Sequence, residues 1–254
     1  GAYASVSLTG YALSLGFAPV LAFPLMIVSA VLVGILIGAP LEKFLLRRIY
    51  DKSEVLQLLM TFAVFMILED VQRLVWGTRP YFDSSALQVL GNVTVFGVTY
   101  TAYQMILLPL VAIALLLGMR FFLRHTVTGK LITATTEDRE AAQSIGVDAD
   151  KVFLFTFVIG AILAGLGGAL ASPTTSILPG MGADMIVLSF AVVATAGLGQ
   201  IEGAALTALM IGLGRSFAVY LYPEISVLVP YLIMVLVLLV RPEGLFGTPG
   251  ARKI

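Results

Sequence analysis

Three charged side chains lie close together in an otherwise apolar part of the sequence. Glu69, Asp70 and Arg73 fall within residues 56–76, and Glu69 lies about 20 Å along that stretch if it is helical. An arginine three or four positions after an acid on a helix can neutralise it, and charges deep in a membrane are costly unless paired. Two interpretations stay open for this group and for Arg215: a polar lining of a translocation pathway that meets an ammonium group, or charged groups near a helix end that reach back to water.

The sequence offers no other reactive group. It has no Cys and one His, which excludes thiolate nucleophiles, disulfides and multi-histidine metal centres. It also has no phosphate-binding GxxxxGK[ST] loop, no HExxH motif and no nucleophile elbow. Basic and acidic residues number 15 each, so no overall basic field attracts nucleic acid. We expect no catalytic residue, no metal and no cofactor in this chain, and therefore no enzymatic activity of its own.

The composition is that of a membrane protein. Of 254 residues, 59% are apolar and 12% are charged, against roughly 45–50% and ~25% in soluble domains. Since about 20 apolar residues cross a bilayer, we predict an all-α, polytopic transmembrane bundle of about eight spans, forming one transmembrane domain over residues 1–254. The predicted spans are residues 1–15, 18–39, 56–76, 105–123, 152–171, 185–200, 203–221 and 226–240. The short stretch 185–200 either crosses or forms a re-entrant hairpin.

The distribution of charge predicts the orientation. Residues 42–54 and 120–151 hold more than half of the charged side chains, and cytoplasmic loops carry the excess of Lys and Arg. Both windows are therefore predicted to be cytoplasmic. Residues 77–104 contain a single basic residue, Arg79, and residues 172–184 contain none, so both loops are predicted to lie outside. The C-terminal tail then returns to the cytoplasm.

Small residues recur at every fourth position in several spans. This spacing lets helix backbones approach closely in lipid, where apolar burial does not drive association. Static packing is the plainer interpretation, and helices that slide or tilt during a transport cycle are the other. The lines are Ala30, Gly34 and Gly38; Gly160, Ala164, Gly168 and Ser172, with Ala161, Gly165 and Ala169 beside them; and Ala204, Ala208, Gly212 and Ser216.

The cytoplasmic loop at about 124–151 predicts one short surface helix over residues 136–145. Thr135 or Thr136 can cap its N-terminus, the two acids that follow suit the positive end of its dipole, and Gly146 suits the left-handed position after its end.

A second helix is predicted to begin a few residues later, because Asp148 or Asp150 can cap the helix that enters the membrane at Val152. The short helix has too little apolar surface to be buried in lipid, and it suits a groove in a soluble partner. A solvated linker is the alternative. The apolar side chains on roughly one side of it are Ala134, Ala141, Ala142 and Ile145.

Several segments resemble one family. Residues 140–146, Glu-Ala-Ala followed by three residues and Gly, resemble the cytoplasmic EAA motif of bacterial ABC-importer permeases. Residues 137–170, FAVVATAGLGQIEGA at 190–204 and LVLLVRPEGLFG at 236–247 resemble the permeases for branched-chain amino acids, more closely their LivH-type half. The resemblance extends over essentially the whole chain. It is also similar to urea and short-chain amide permeases of the same family.

The resemblance implies a multi-pass subunit of the bacterial plasma (inner) membrane that moves branched-chain or related amino acids inward by ATP-driven alternating access. Its implied partners are two ATP-binding subunits, a second homologous permease subunit and a substrate-binding protein, besides the lipid bilayer. The implied coupling residues are Glu137, Asp138, Glu140, Ala141, Ala142, Ile145 and Gly146. The residues assigned to helix packing are Gly160, Ala164, Gly165 and Gly168.

Two departures from the family pattern leave the substrate open. Glu202 stands where family members often have Pro, and residues 56–76 carry charges where apolar or amide side chains are common. The family's first spans would precede Gly1, so we expect a chain truncated at its N-terminus. The alternatives are a urea or short-chain amide permease, and a secondary transporter with Glu69, Asp70 and Arg73 as ion-coupling groups.

The predicted orientation can be tested by chemical labelling. The chain has no Cys, so Ser144→Cys gives a single reactive site next to the EAA motif. A membrane-impermeant maleimide should label it only after the cells are opened, because this loop is predicted to be cytoplasmic. Thr94→Cys, in a loop predicted to lie outside, is the control and should react in intact cells. Labelling of Ser144→Cys in intact cells would contradict the orientation.

Overall fold

The computed structural model describes residues 1–50, 52–83, 85–95, 97–197 and 199–247, and most of them are helical. In chain order the α-helices are α1 (Ala2–Ser14), α2 (Ala22–Val33), α3 (Glu54–Trp76), α4 (Ser85–Leu90), α5 (Leu108–His125), α6 (Val127–Glu137), α7 (Arg139–Ser144), α8 (Ala149–Ala171), α9 (Met181–Ala196), α10 (Ile201–Leu221) and α11 (Val229–Val240). The helical fold confirms the predicted fold class.

One small sheet departs from the all-helical prediction. Strands β1 (Asn92–Val95) and β2 (Val98–Thr101) form an antiparallel hairpin in which Asn92 pairs with Thr101. Both strands are rich in Val and Thr, whose branched Cβ atoms favour extended backbone. The hairpin lies within the loop 77–104.

Five helical segments are long and apolar enough to cross a membrane. They are Pro19–Arg48, Val55–Trp76, Tyr103–His125, Ala149–Ala171 and Ile201–Leu221. The predicted stretches 185–200 and 226–240 form the shorter helices α9 and α11, of 16 and 12 residues. Both are below the roughly 20 residues that a straight crossing needs, so the crossing of α9 stays a prediction.

Two of the long segments contain π-helical turns directly before a proline. Gly34–Gly38 precedes Pro40, and Tyr103–Leu107 precedes Pro109. A proline inside a helix has no N–H to donate, and its ring clashes with the carbonyl four residues earlier. The wider π turn absorbs this misfit without ending the helix.

The chain divides into two compact units, each described here by itself. The first comprises Gly1–Leu115 and Phe121–Pro179, and the second comprises Leu116–Arg120 and the residues from Gly180 on. The expectation of one domain over residues 1–254 stays a prediction.

In the first unit, α2 and the π-helical segment Gly34–Gly38 that continues it pack against α8 through small residues. A Cβ at Gly34 would lie 2.8 Å from the backbone nitrogen of Ile162, and one at Gly38 would lie 2.9 Å from Cβ of Ala161. On the α8 side, a Cβ at Gly165 would lie 3.3 Å from Cα of Ala30. The predicted line Ala30, Gly34, Gly38 is therefore a close helix contact.

Not all of the small residues assigned to packing take part. Gly165 is buried, and a Cβ at Gly168 would come within 3.2 Å of the backbone nitrogen of Ala2. Gly160 and Ala164 are exposed, and a Cβ at Gly160 would meet nothing within 4 Å. The face of α8 that packs in this unit is thus the one with Gly165 and Gly168, and Gly160 and Ala164 lie outside it.

The core of this unit surrounds Tyr103. Its side chain is fully buried, and its hydroxyl donates a hydrogen bond of 2.7 Å to the carbonyl oxygen of Leu170. The ring stacks on Phe23 with a centroid separation of 6.4 Å. The buried residues packed together here are Ala22, Met26, Ala86, Tyr103 and Ala169.

Contacts between distant loops agree with the predicted sidedness. Tyr81 and Ile177 exchange two backbone hydrogen bonds, of 3.0 and 2.8 Å, and join the two loops predicted to lie outside. Arg47 pairs with Asp150 and joins the two windows predicted to be cytoplasmic. Loops assigned to the same side of the membrane are thus in contact within this unit.

In the second unit, the C-terminal segment Arg241–Gly247 folds back on the end of α9. The backbone N–H groups of Leu245 and Phe246 donate to the carbonyl oxygens of Thr195 and Ala196, at 2.8 and 2.9 Å. The Phe246 ring lies against Gly203 at the start of α10, where an added Cβ would come within 2.8 Å of it.

The α2–α8 contact predicts a difference between two glycines. Gly34→Ala should lower the free energy of unfolding by about 1–3 kcal/mol, because the new methyl group must displace backbone. Gly160→Ala adds the same group on an exposed helix face and should leave the stability equal or slightly higher. The thermal midpoint of the purified protein in detergent measures both, and equal effects would contradict the contact.

Candidate functional site

The loop between α5 and α8, predicted to be cytoplasmic, forms two helices where the sequence predicts one. The hydroxyls of Thr135 and Thr136 donate to the carbonyls of Leu131 and Ile132 inside α6. Neither threonine caps a helix, so the predicted cap at these positions is wrong. Helix α6 runs on past them because their hydroxyls are satisfied one turn back.

Asp138 separates the two helices. Its backbone is extended, and its carboxylate accepts a hydrogen bond of 2.9 Å from the backbone N–H of Ala141. It is therefore the N-cap of α7, where a carboxylate also suits the helix dipole. Glu137 is the last residue of α6.

The turn after α7 follows the prediction. Gly146 has a φ of 91°, the left-handed conformation that glycine adopts without strain. Asp148 caps α8 by accepting from the backbone N–H of Lys151 at 3.2 Å. Its carboxylate also pairs with the ammonium of Lys151 at 2.9 Å, and these hydrogen bonds lower the pKa of Asp148.

Helix α7 offers a small exposed surface. Glu140, Ala141 and Gln143 are exposed, and the apolar side chain of Ile145 is 80% exposed. Ala142 is 3% exposed, so it holds α7 against the rest of the unit and does not reach the surface. The surface combines an acid, small side chains and one projecting apolar group, a combination that suits docking into a partner's groove.

The charged group in α3 is paired as its spacing predicts. Arg73 pairs with Glu69, and its Nη1 lies 3.8 Å from Oδ1 of Asp70. The side chain of Glu69 is 18% exposed, whereas that of Asp70 is 72% exposed. One arginine thus partly neutralises two acids on the same helix face.

Arg215 is not part of this group. It is exposed on α10, in the second unit. Also in the second unit, Glu202 lies in the first turn of α10, and its Oε1 is 3.1 Å from Nε of Arg120. The acid that departs from the family's frequent proline therefore has a charged partner.

Two features of the site region are not anticipated from the sequence. The motif segments 190–204 and 236–247 are joined to each other by the hydrogen bonds of Leu245 and Phe246. The start of α8 contacts both α7 and the segment after α2, through ion pairs of Asp150. The only sequence signal for the first feature is that both segments carry family motifs.

Comparison with known proteins decides the family. The family described as the permease component of branched-chain amino acid transport systems matches residues 1–238. The chain belongs to this permease family. The permease is 26% identical over 232 residues to the high-affinity branched-chain amino acid transport system permease protein LivH of Escherichia coli (strain K12), covering 89% of this chain and 75% of the relative.

Two further relatives give the same result. The permease is 25% identical over 240 residues to BraD, a permease protein of the same kind of system in Pseudomonas aeruginosa, covering 91% of this chain and 78% of the relative. It is 27% identical over 249 residues to a probable LivH of Methanocaldococcus jannaschii, covering 91% and 76%. No solved structure matches it.

Family membership confirms the main functional expectations. The protein is a multi-pass permease subunit of an ABC importer and lies in the inner membrane. A permease component of such a system works with ATP-binding and substrate-binding components.

The cap at Asp138 predicts a local change in stability. Asp138→Ala should speed amide hydrogen exchange in residues 139–144 about fivefold, since losing such a cap costs ~1 kcal/mol. Asp138→Asn should keep the exchange close to that of the unchanged protein, because the Asn oxygen can accept the same bond. Hydrogen exchange measured by mass spectrometry distinguishes the two, and equal exchange in both variants would contradict the cap.

Proposed function

We propose that this permease moves branched-chain amino acids into the cell, together with two ATP-binding subunits, a second homologous permease subunit and a substrate-binding protein. The names of the relatives in Escherichia coli and Pseudomonas aeruginosa support the substrate class. The stoichiometry comes from the resemblance to ABC importers.

The mechanism we infer uses α7 as the coupling helix. Its exposed residues Glu140, Ala141 and Ile145 dock into the ATP-binding subunit, with Asp138 and Gly146 fixing its two ends. Closure of the ATP-binding subunits displaces α7, which precedes α8 by four residues. The displacement tilts α8, and the substrate pathway opens alternately to the two sides. The exposed apolar side chain of Ile145, directly after α7, is the observation that carries this proposal.

The pairing in α3 bears on the two interpretations of its charges. Arg73 pairs with Oε1 of Glu69 and partly neutralises this carboxylate, whose side chain is 18% exposed, so Glu69 attracts an ammonium group or a coupling ion less strongly. Asp70 is 72% exposed and lies at the longer distance from Arg73. In the pathway interpretation Asp70 is therefore the carboxylate that meets the ammonium group, and Glu69 holds the arginine. For Arg215, both interpretations stay open: a polar lining of the pathway, or a charged group near a helix end.

The coupling role of α7 predicts the effect of Ala141→Arg. Uptake of labelled leucine into proteoliposomes that contain the complete transporter should fall roughly tenfold or more, because a misplaced charge at a docking surface costs over ~1.4 kcal/mol. ATP hydrolysis should no longer respond to substrate-loaded binding protein, while the amount of permease in the membrane stays unchanged. Thr133→Arg, on the exposed side of α6, is the control and should transport normally.

The same assay separates the alternatives. Labelled urea should not be accumulated, and uptake of leucine should persist when an ionophore collapses the proton gradient at constant ATP. Loss of uptake with the ionophore would favour ion-coupled transport. Unchanged uptake in Ala141→Arg would contradict the docking role of α7.

A further inference from the structure

Five residues on three segments meet where α8 begins, on the side predicted to be cytoplasmic. They are Arg47 and Tyr50 in the segment after α2, Arg139 at the start of α7, and Asp150 and Phe153 in the first turns of α8. We call this group the clasp. All five belong to the first compact unit.

The polar half of the clasp is a carboxylate held between two guanidinium groups. Asp150 pairs through Oδ2 with Arg47, and its Oδ1 lies 3.5 Å from Nη2 of Arg139. The side chain of Asp150 is 32% exposed, and those of Arg47 and Arg139 are 48% and 39% exposed. Exposed ion pairs of this kind contribute little to folding stability. Their effect is to define the position of the groups that they join.

The aromatic half joins the same three segments one turn further along α8, through Phe153. The Phe153 ring centroid lies 5.4 Å from Cζ of Arg139 and 5.4 Å from the ring centroid of Tyr50. Phe153 follows Asp150 by three positions, so both lie on one helix face. Arg139 therefore contacts α8 twice, through an ion pair and through a cation–π contact.

Tyr50 lies close to a second acidic side chain. This is Glu42, which is 1% exposed and whose nearby charge contributes to raising the pKa of Tyr50, after burial of the phenol itself. Within the described parts of the chain, Oε1 of Glu42 has no hydrogen-bond partner. Arg47 lies within the span Pro19–Arg48, so its ion pair with Asp150 ties the clasp to the end of that span.

The covalent connections of α7 are short turns. Asp138 is the one residue between α6 and α7, and residues 145–148 between α7 and α8 include the positive-φ glycine. Of the residues in α7 itself, Ala142 is buried. These turns could absorb a displacement of α7 if Arg139 did not fix α7 to Asp150 and Phe153 of α8. The same two residues of α8 contact Arg47 and Tyr50.

We propose that the clasp makes α7, the start of α8 and the end of the span Pro19–Arg48 move as one body, so that a displacement of α7 reaches the closely packed α2–α8 pair. Asp150 and Arg139 are positioning residues for transport in this scheme, and they do not touch substrate. The proposal rests on the proposed function, in which α7 receives the displacement.

The test uses Asp150→Asn in the complete transporter, reconstituted in proteoliposomes with its binding protein and labelled leucine. The number of ATP molecules hydrolysed per leucine transported should rise at least about fivefold, the lower range of a coupling free energy between sites. Asp150→Glu keeps the charge and should restore a ratio close to that of the unchanged protein. Lys151→Gln removes a neighbouring charge outside the clasp and should leave the ratio unchanged.

A second measurement does not depend on transport. The chain has no Cys, so Gln143→Cys and Phe44→Cys can carry a pair of spin labels on α7 and on the segment after α2. Asp150→Asn should broaden the distance distribution between the labels in the assembled transporter, and Lys151→Gln should not. A broadened distribution together with a raised ratio supports the clasp.

The failures of the two proposals can be told apart. If Ala141→Arg abolishes coupling but Asp150→Asn keeps the ratio and the distance distribution of the unchanged protein, the clasp is overturned and the docking role of α7 stands. If Ala141→Arg transports normally as well, the docking role of α7 is contradicted. The clasp is then contradicted too, because it rests on that role. A raised ratio that Asp150→Glu does not restore would likewise overturn the clasp, because charge would then not be what matters.

Discussion

The first long span, Pro19–Arg48, can pack closely against α8 because two of its residues are glycines and have no Cβ atom. At Gly34 and Gly38 the backbone of the first long span lies so close to α8 that a single methyl group would meet Ile162 or Ala161. In lipid, apolar side chains gain nothing by leaving the solvent, so close backbone packing is what holds helices together. The position of α8, and with it the start of α8 in the cytoplasmic loop, follows from this contact.

Two kinds of interaction extend the packed helices beyond the membrane. On one side, backbone bonds between Tyr81 and Ile177 join the loops that follow α3 and α8. On the other side, charged and aromatic side chains around Asp150 join α7 to the same helices. The backbone bonds between Tyr81 and Ile177 do not involve side chains, and they fix the two loops to each other. The second kind is made of long charged and aromatic side chains, which fix the position of α7 relative to the start of α8.

The sequence is informative where a signal is local. A cap at Asp148 or Asp150, the left-handed Gly146 and the pairing of Arg73 with an acid one turn back each depend on residues within a few positions. The structure has Asp148, Gly146 and Glu69 in these roles. The cap of α7 was misplaced because Thr136 and Asp138 are both good caps, and the choice depends on how far α6 extends. Two features leave no local signal because they depend on the tertiary fold. One is the choice of the small-residue face of α8 that packs, and the other is the pairing of Asp150 with Arg47, 103 residues away in the sequence.

The C-terminal segment has a consequence for how the chain is made. The carbonyl groups of Thr195 and Ala196 end α9, and their partners are the N–H groups of Leu245 and Phe246. On the ribosome, the end of α9 therefore emerges roughly fifty residues before the groups that complete it. A helix end in this state must rely on water or on the translocation machinery until residues 245 and 246 have been made. Residues translated much later thus complete the end of α9, and this part of the second unit can finish folding only after they have emerged.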